Sequence, residues 1–106
     1  MFEYTDGSIM VSRGDSVALM LNFEGEVPDG TVCLVTLKRD VEDTSPVWEK
    51  RLSVEGSRCR LSLTTDDTEL DFGSYCWDVR LIFSGYDVES VLTPHEFVIA
   101  EAVGNA

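Results

Sequence analysis

The sequence predicts an all-β protein, with one antiparallel β-sandwich domain that spans residues 1–106. A chain of this length usually forms a single hydrophobic core, and 43% of its residues are hydrophobic. Short apolar stretches with a period of two recur at spacings of roughly 10–15 residues and are separated by turn residues. Seven such stretches with one candidate helical turn are typical of a β-sandwich.

The first part of the chain predicts three strands. Residues 8–12 are a short apolar run, and residues 16–23 place large apolar side chains on one face by alternation. Residues 31–38 are apolar on both faces, which indicates a central strand. Between the first two strands, an Arg-Gly-Asp sequence predicts a turn in which Gly14 adopts a positive φ. The tripeptide is also an integrin-binding motif, but such short matches are common and we interpret this one as structural.

The middle of the chain predicts a β-hairpin formed by residues 47–54 and 58–64. Alternation points the apolar side chains of this hairpin into the core, namely Trp48, Leu52, Cys59, Leu61 and Leu63. It points the charged side chains toward water, namely Glu49, Arg51, Arg58 and Arg60. Residues 65–70 predict a single helical turn, capped by Thr65 or Asp66 and with acidic residues at its start.

The last part of the chain contains the most regular alternation, which begins at Gly73, and a final strand over residues 89–100. A polar turn, a glycine and Tyr75 match the start of strand F in immunoglobulin-like sandwiches, where a tyrosine hydroxyl bonds back to the preceding turn. Trp77 occupies the position of the usual strand-F cysteine, and residues 16–23 contain no cysteine. The prediction is therefore a seven-stranded immunoglobulin-like sandwich without the B–F disulfide. Its expected structural residues are Gly14, Trp48, Tyr75 and Trp77.

The formal net charge of −12 narrows the classes of partner. A protein this acidic is repelled by phosphate backbones and by anionic membrane surfaces, so we expect neither nucleic acid nor membrane as a partner. Residues 38–60 are the exception, with a net charge of +1 between flanks of −5 and −8. We expect a mildly basic patch on one sheet, formed by Lys50, Arg51, Arg58 and Arg60. Its expected complement on a neighbouring copy is the acidic group Asp66, Asp67 and Asp71.

Residues that commonly carry chemistry give no catalytic, cofactor or metal site in this sequence. An odd number of cysteines, at positions 33, 59 and 76, and a start without secretory features indicate reduced thiols in a chain made in the cytoplasm. Alternation points Cys33 and Cys59 inward, which leaves the single histidine, His95, without an accessible nucleophile. The acids of residues 66–71 lack the spacing of a calcium loop, and we interpret them as a hydrated helical turn.

The order and spacing of several short motifs over residues 9–100 resemble one family. The motifs are Arg13-Gly14-Asp15-Ser16, Leu37-Lys38-Arg39, Trp48-Glu49-Lys50, Asp66-Asp67-Thr68, Gly73-x-Tyr75-x-Trp77-Asp78-Val79 and Phe97-Val98-Ile99. They resemble the immunoglobulin-like domain at the N-terminus of upper-baseplate and tail-fibre-associated proteins of phages that infect Gram-positive bacteria. Such proteins continue into long coiled-coil or receptor-binding regions, whereas this sequence stops at Ala106. The resemblance therefore implies an adaptor, a decoration or a small baseplate, neck or capsid component.

Three functions are compatible with these observations. The first is a non-enzymatic virion protein, assembled in the host cytoplasm, whose partners are other virion proteins and copies of itself. The second is a soluble phage inhibitor that mimics nucleic acid, because its negative charge suits a basic groove. The third is a bacterial surface adhesin module, against which the absence of a signal peptide counts. The resemblance favours the first function.

Overall fold

The computed structural model describes residues 2–84 and 87–101 and shows an all-β protein with one short helix in that part of the chain. In chain order the elements are β1 (Phe2–Thr5), β2 (Ser8–Ser12), β3 (Val17–Asn22), β4 (Val32–Lys38), β5 (Trp48–Ser53), β6 (Arg58–Leu63), α1 (Thr65–Thr68), β7 (Gly73–Ile82) and β8 (Val88–Ala100). Seven of these elements lie within one or two residues of a predicted strand. The described residues thus contain eight strands, one more than the sequence predicts.

The strands form two sheets of unequal size. One has six strands in the order β1-β2-β8-β7-β4-β5, and the other contains β3 and β6 alone. The first sheet is mixed, because β2 runs parallel to β8 with Ile9 opposite Phe97. The prediction of a wholly antiparallel sandwich was therefore wrong at this pair. Its two strands are far apart in the chain, so no short connection dictates their relative direction.

The prediction that residues 47–54 and 58–64 pair with each other as a hairpin was also wrong. β5 pairs with β4, placing Trp48 opposite Leu37, whereas β6 pairs with β3 in the other sheet. A single bridge between Glu55 and Arg58 joins the two segments at their turn. The turn is present, but the chain crosses there from one sheet to the other. Both arrangements bury the same apolar side chains, so alternation does not distinguish between them.

The additional strand, β1, forms a tight hairpin with β2. Asp6 and Gly7 connect them with φ values of 49° and 93°. These angles define the type I′ turn that Asp-Gly favours, because its twist matches that of the flanking strands. The Asp6-Gly7 pair is therefore the sequence signal for this hairpin, whose first strand was not among the seven predicted strands.

One core fills the space between the two sheets. Its buried members come from five strands and comprise Ile9, Val11, Cys33, Val35, Leu37, Cys59, Leu61, Leu63, Tyr75, Trp77, Val79, Leu81, Phe97 and Ile99. Phe97 lies at its centre, edge-on to both tryptophans, with ring centroids 6.2 Å from Trp48 and 6.4 Å from Trp77. Trp77 also donates a buried hydrogen bond of 2.8 Å from Nε1 to the carbonyl of Gly7. This bond attaches the β1–β2 turn to the core.

A short polar corner connects β6 to β7. The N-cap of α1 is Thr64 rather than the predicted Thr65 or Asp66, because the side chain of Asp67 accepts from the Thr64 backbone and completes a capping box. The hydroxyl of Tyr75 donates to the carbonyl of Asp71 at 2.8 Å, which is the bond to the preceding turn that the sequence predicts. The turn at Gly14, whose φ is 84°, packs against this corner through a backbone bond to the Thr68 carbonyl.

Candidate interaction surfaces

The four cations expected to form one basic patch lie on different parts of the molecule. Arg51 is exposed on the outer face of the six-stranded sheet, whereas the next residue, Leu52, points inward. Arg58 and Arg60 are exposed on the outer face of the two-stranded sheet. Because β5 and β6 belong to different sheets, the expectation of a single patch on one sheet was wrong. Only Arg58 and Arg60 remain side by side.

Lys50 and Asp67, expected on opposite sides of an interface, bind each other within the chain. The Lys50 Nζ lies 2.9 Å from both carboxylate oxygens of Asp67, and the two side chains are 29% and 13% exposed. Lys50 has the same parity as Trp48 and Leu52, so it extends from the inner side of β5 toward α1. Trp48 supports the same contact by donating from Nε1 to the Asp67 carbonyl at 3.1 Å. This ion pair therefore joins β5, at the edge of the large sheet, to α1.

The electrostatics of Asp67 follow from this geometry. Partial burial alone would raise the pKa of its carboxyl group. The hydrogen bonds from Lys50 and from the backbone and hydroxyl of Thr64 outweigh burial, so the pKa lies below its usual value. Asp67 is therefore ionised at neutral pH and engaged within the fold. Asp66 and Asp71, the other two members of the predicted acidic group, remain exposed near α1.

The outer face of the two-stranded sheet is mixed in character. Met20 is 46% exposed and lies directly opposite Arg60, while Asn22 lies opposite Arg58. An exposed methionine beside two arginines gives this small sheet an apolar centre with positive charge at one side. Such a surface suits contact with an acidic protein face.

The outer face of the six-stranded sheet contains buried polar atoms. Thr36 Oγ1, Asp78 Oδ1 and Arg80 Nε are buried, yet within the described structure they make no hydrogen bond. Asp78 and Arg80 approach each other only to 3.9 Å. Because buried polar atoms normally have partners, this face retains hydrogen-bonding capacity in the centre of the sheet.

A groove that alternation did not predict lies between β3 of the small sheet and the first half of β8 in the large one. Its volume is about 710 Å³, and its walls are residues 19–22 of β3 with the loop that follows it and residues 89–92 of β8. The inward-facing side chains of β7 line it between these walls, and Tyr4 of β1 also borders it. Sequence alternation alone does not reveal this groove, because it results from two strands facing six.

Neither the cysteines nor the histidine line this groove. Cys33 and Cys59 are buried and contact each other across the two sheets; this contact, together with burial, raises the pKa of the Cys33 thiol. Cys76 is half-buried on the opposite side of β7. His95 faces its own backbone, with Nδ1 in contact with the carbonyl of Thr93. In the described ranges no three His, Cys, Asp or Glu side chains form a metal-binding group.

Across residues 2–84 and 87–101, no helix has the length and apolar character needed to span a membrane. Comparisons with protein-family models, with curated proteins and with solved structures found no match.

Proposed function

We propose that this chain is a non-enzymatic structural protein of a phage virion, either a baseplate or tail component or an adaptor or decoration of the neck or capsid. In this proposal the domain is an immunoglobulin-like sandwich made by β2 to β8, with β1 added at one edge. The pairing of β3 with β6 opposite the β8-β7-β4-β5 sheet supports that interpretation. The bond from Tyr75 to Asp71 supports it as well.

The observation that carries the proposal is the number of open strand edges. In the described part of the chain, β1 and β5 end the large sheet, and each strand of the small sheet has only one neighbour. An open edge presents unpaired backbone N–H and C=O groups to a neighbouring protein. Four such edges on a small domain suit a component that packs against several other proteins.

Charge on the remaining faces supports contacts between unlike surfaces. Arg58 and Arg60 on the small sheet are free of the ion pair that engages Lys50, and Asp66 and Asp71 are exposed near α1. A neighbouring virion protein, or another copy with its α1 corner presented, would find complementary charge there. Such contacts set orientation and partner choice more than affinity.

Fractionation of phage particles tests the proposal. We expect the chain to sediment with particles on a density gradient of a lysate from cells that produce the phage, and to stay at the top when expressed alone. The double variant R58E/R60E should enter particles less well than R51E, which changes an arginine on the other sheet. Recovery only among the soluble host proteins would contradict the proposal. A salt-sensitive complex with a nuclease would instead indicate the nucleic-acid mimic.

A further inference from the structure

The groove beside β3 follows the edge of a strand rather than the face of a sheet. Residues 19–23 line it consecutively, so inward-facing Leu21 and outward-facing Met20 both border it. β3 has β6 as its only neighbour in the described sheets, and its other edge is unpaired. The N–H and C=O groups of that edge therefore lie along the groove.

The opposite wall is a second unpaired edge. β8 pairs with β7 through Val88–Leu92, but its other neighbour, β2, reaches only Phe97–Ala100. The first half of β8 therefore has one free edge in the described structure. Residues 89–92 line the groove consecutively, as residues 19–23 do on the β3 side. The groove thus lies between two strand edges with an apolar surface between them.

Apolar side chains define what would fit above that surface. Val79 and Leu81 at the floor belong to the buried core, so the apolar side chains that remain open along the groove are Tyr4, Met20 and Val91, which are 49%, 46% and 39% exposed. A strand added to β3 would direct every second side chain toward these residues. The six residues of β3 allow an added segment of about 20 Å at the usual rise per residue.

The negative charge at the rim of the groove indicates a basic partner. Glu24 and Glu26 follow β3 at the rim, Glu89 stands on the β8 side, and the chain has a net charge of −12. A second copy would bring its own negative charge to this rim, and its exposed edge strand β1 contains Glu3. A basic segment would be attracted instead, because opposite charges at the rim of an interface guide association.

We propose that the groove beside β3 binds an extended segment of another protein, with alternating apolar residues and flanking Lys or Arg, as an added strand. This inference rests on the proposed function and specifies one contact within it. The added strand packs beside Tyr4, Met20 and Val91, the apolar side chains that remain exposed along the groove. It also gives hydrogen-bonding partners to the free edge of β3.

A peptide experiment tests this groove directly. The probe is a synthetic peptide of about eight residues in which Val alternates with Lys, and the control peptide has Glu in place of Lys. We expect the Lys peptide to shift and protect backbone amides of β3 and of residues 89–92 in NMR and hydrogen-exchange measurements. The Glu peptide should bind at least about tenfold more weakly. Protection on β1, β5 or β6 instead, equal binding of both peptides, or no binding would overturn the inference.

A matched pair of variants separates this inference from the proposed function. E24K/E26K reverses two rim charges, whereas E42K/E101K makes the same change in net charge at exposed positions outside the groove. We expect E24K/E26K, but not E42K/E101K, to weaken binding of the Lys peptide by about fivefold or more. We also expect only E24K/E26K to enter phage particles less well than the wild-type chain. Normal entry of E24K/E26K into particles overturns the groove inference and leaves the proposed function intact. If the Lys peptide protects β3 but the chain never enters phage particles, the groove inference stands and the proposed function is contradicted.

Discussion

Replacement of Trp77 by phenylalanine is expected to destabilise the fold much more than the same replacement at Trp48. Both indoles donate a hydrogen bond to a backbone carbonyl and both pack against Phe97. They differ in burial. Trp77 is 1% exposed and its acceptor, Gly7, is buried, whereas Trp48 is half-buried at the sheet edge. The pair therefore separates the effect of burial from that of the substitution itself.

The expected difference follows from the partner atoms. Without the Trp77 indole, the buried carbonyl of Gly7 loses its donor, which costs about 1–3 kcal/mol. The smaller phenylalanine ring leaves unfilled volume in the core and adds about 1–2 kcal/mol. At Trp48 water can replace the lost donor, so the expected loss is about 0.5–1.5 kcal/mol. The difference in free energy of unfolding between the variants should therefore exceed about 1 kcal/mol.

Urea unfolding followed by far-ultraviolet circular dichroism measures this difference, because each variant lacks one of the two tryptophan fluorophores. With a slope of about 1–3 kcal/mol per molar urea, the midpoint of W77F should fall at least about 0.3–1 M below that of W48F. Equal midpoints would refute the reasoning that the bond to Gly7 anchors the first hairpin to the core. Faster amide exchange in β1 and β2 of W77F would support it.

Three further predictions concern strain, pH and thiol access. Gly7→Ala should lower the urea midpoint far more than Gly56→Ala, because a methyl group at Gly7 would lie 2.5 Å from the ring of His95 whereas nothing surrounds Gly56 within 4 Å. Asp67→Asn should cost about 1 kcal/mol near pH 7. Since the folded-state pKa of Asp67 is lowered, this stabilisation is present above its usual pKa, near 3.8, and the gap to wild type in urea midpoints should close as pH falls through the folded-state value. A thiol reagent should modify Cys76 alone in the folded protein and all three cysteines in urea; mass spectrometry of the labelled peptides would contradict this if a buried thiol reacted equally fast.

Alternation located the strands because burial on one face is a local property of each segment. β7 is the clearest example, since its buried and partly exposed residues alternate from Tyr75 to Ile82 as the sequence predicts. Pairing is not local. The inward orientation of Leu52 and Cys59 is the same whether β5 and β6 pair with each other or cross between sheets, and the chain adopts the crossing. The direction of β2 relative to β8 is likewise a long-range property.

The site was less predictable than the fold. Lys50 was assigned to a free basic patch, although it has the same parity as the inward-facing Trp48 and Leu52. A lysine at such a position must reach an acid outside its own strand, and Asp67 on α1 meets that need. The groove was even further from sequence reasoning. The groove depends on the number of strands in each sheet, and the sequence had predicted β6 beside β5 rather than beside β3.

Acidity and open edges have a joint consequence for assembly. Open strand edges normally invite identical chains to pair, and this protein has such an edge at β1 beside the exposed side chains of Phe2 and Tyr4. A net charge of −12 opposes that pairing, because every copy carries the same excess of carboxylates. The same charge attracts a basic segment to the rim of the groove. The net negative charge therefore disfavours pairing between identical chains at the open edges and leaves these edges accessible to partners of opposite charge.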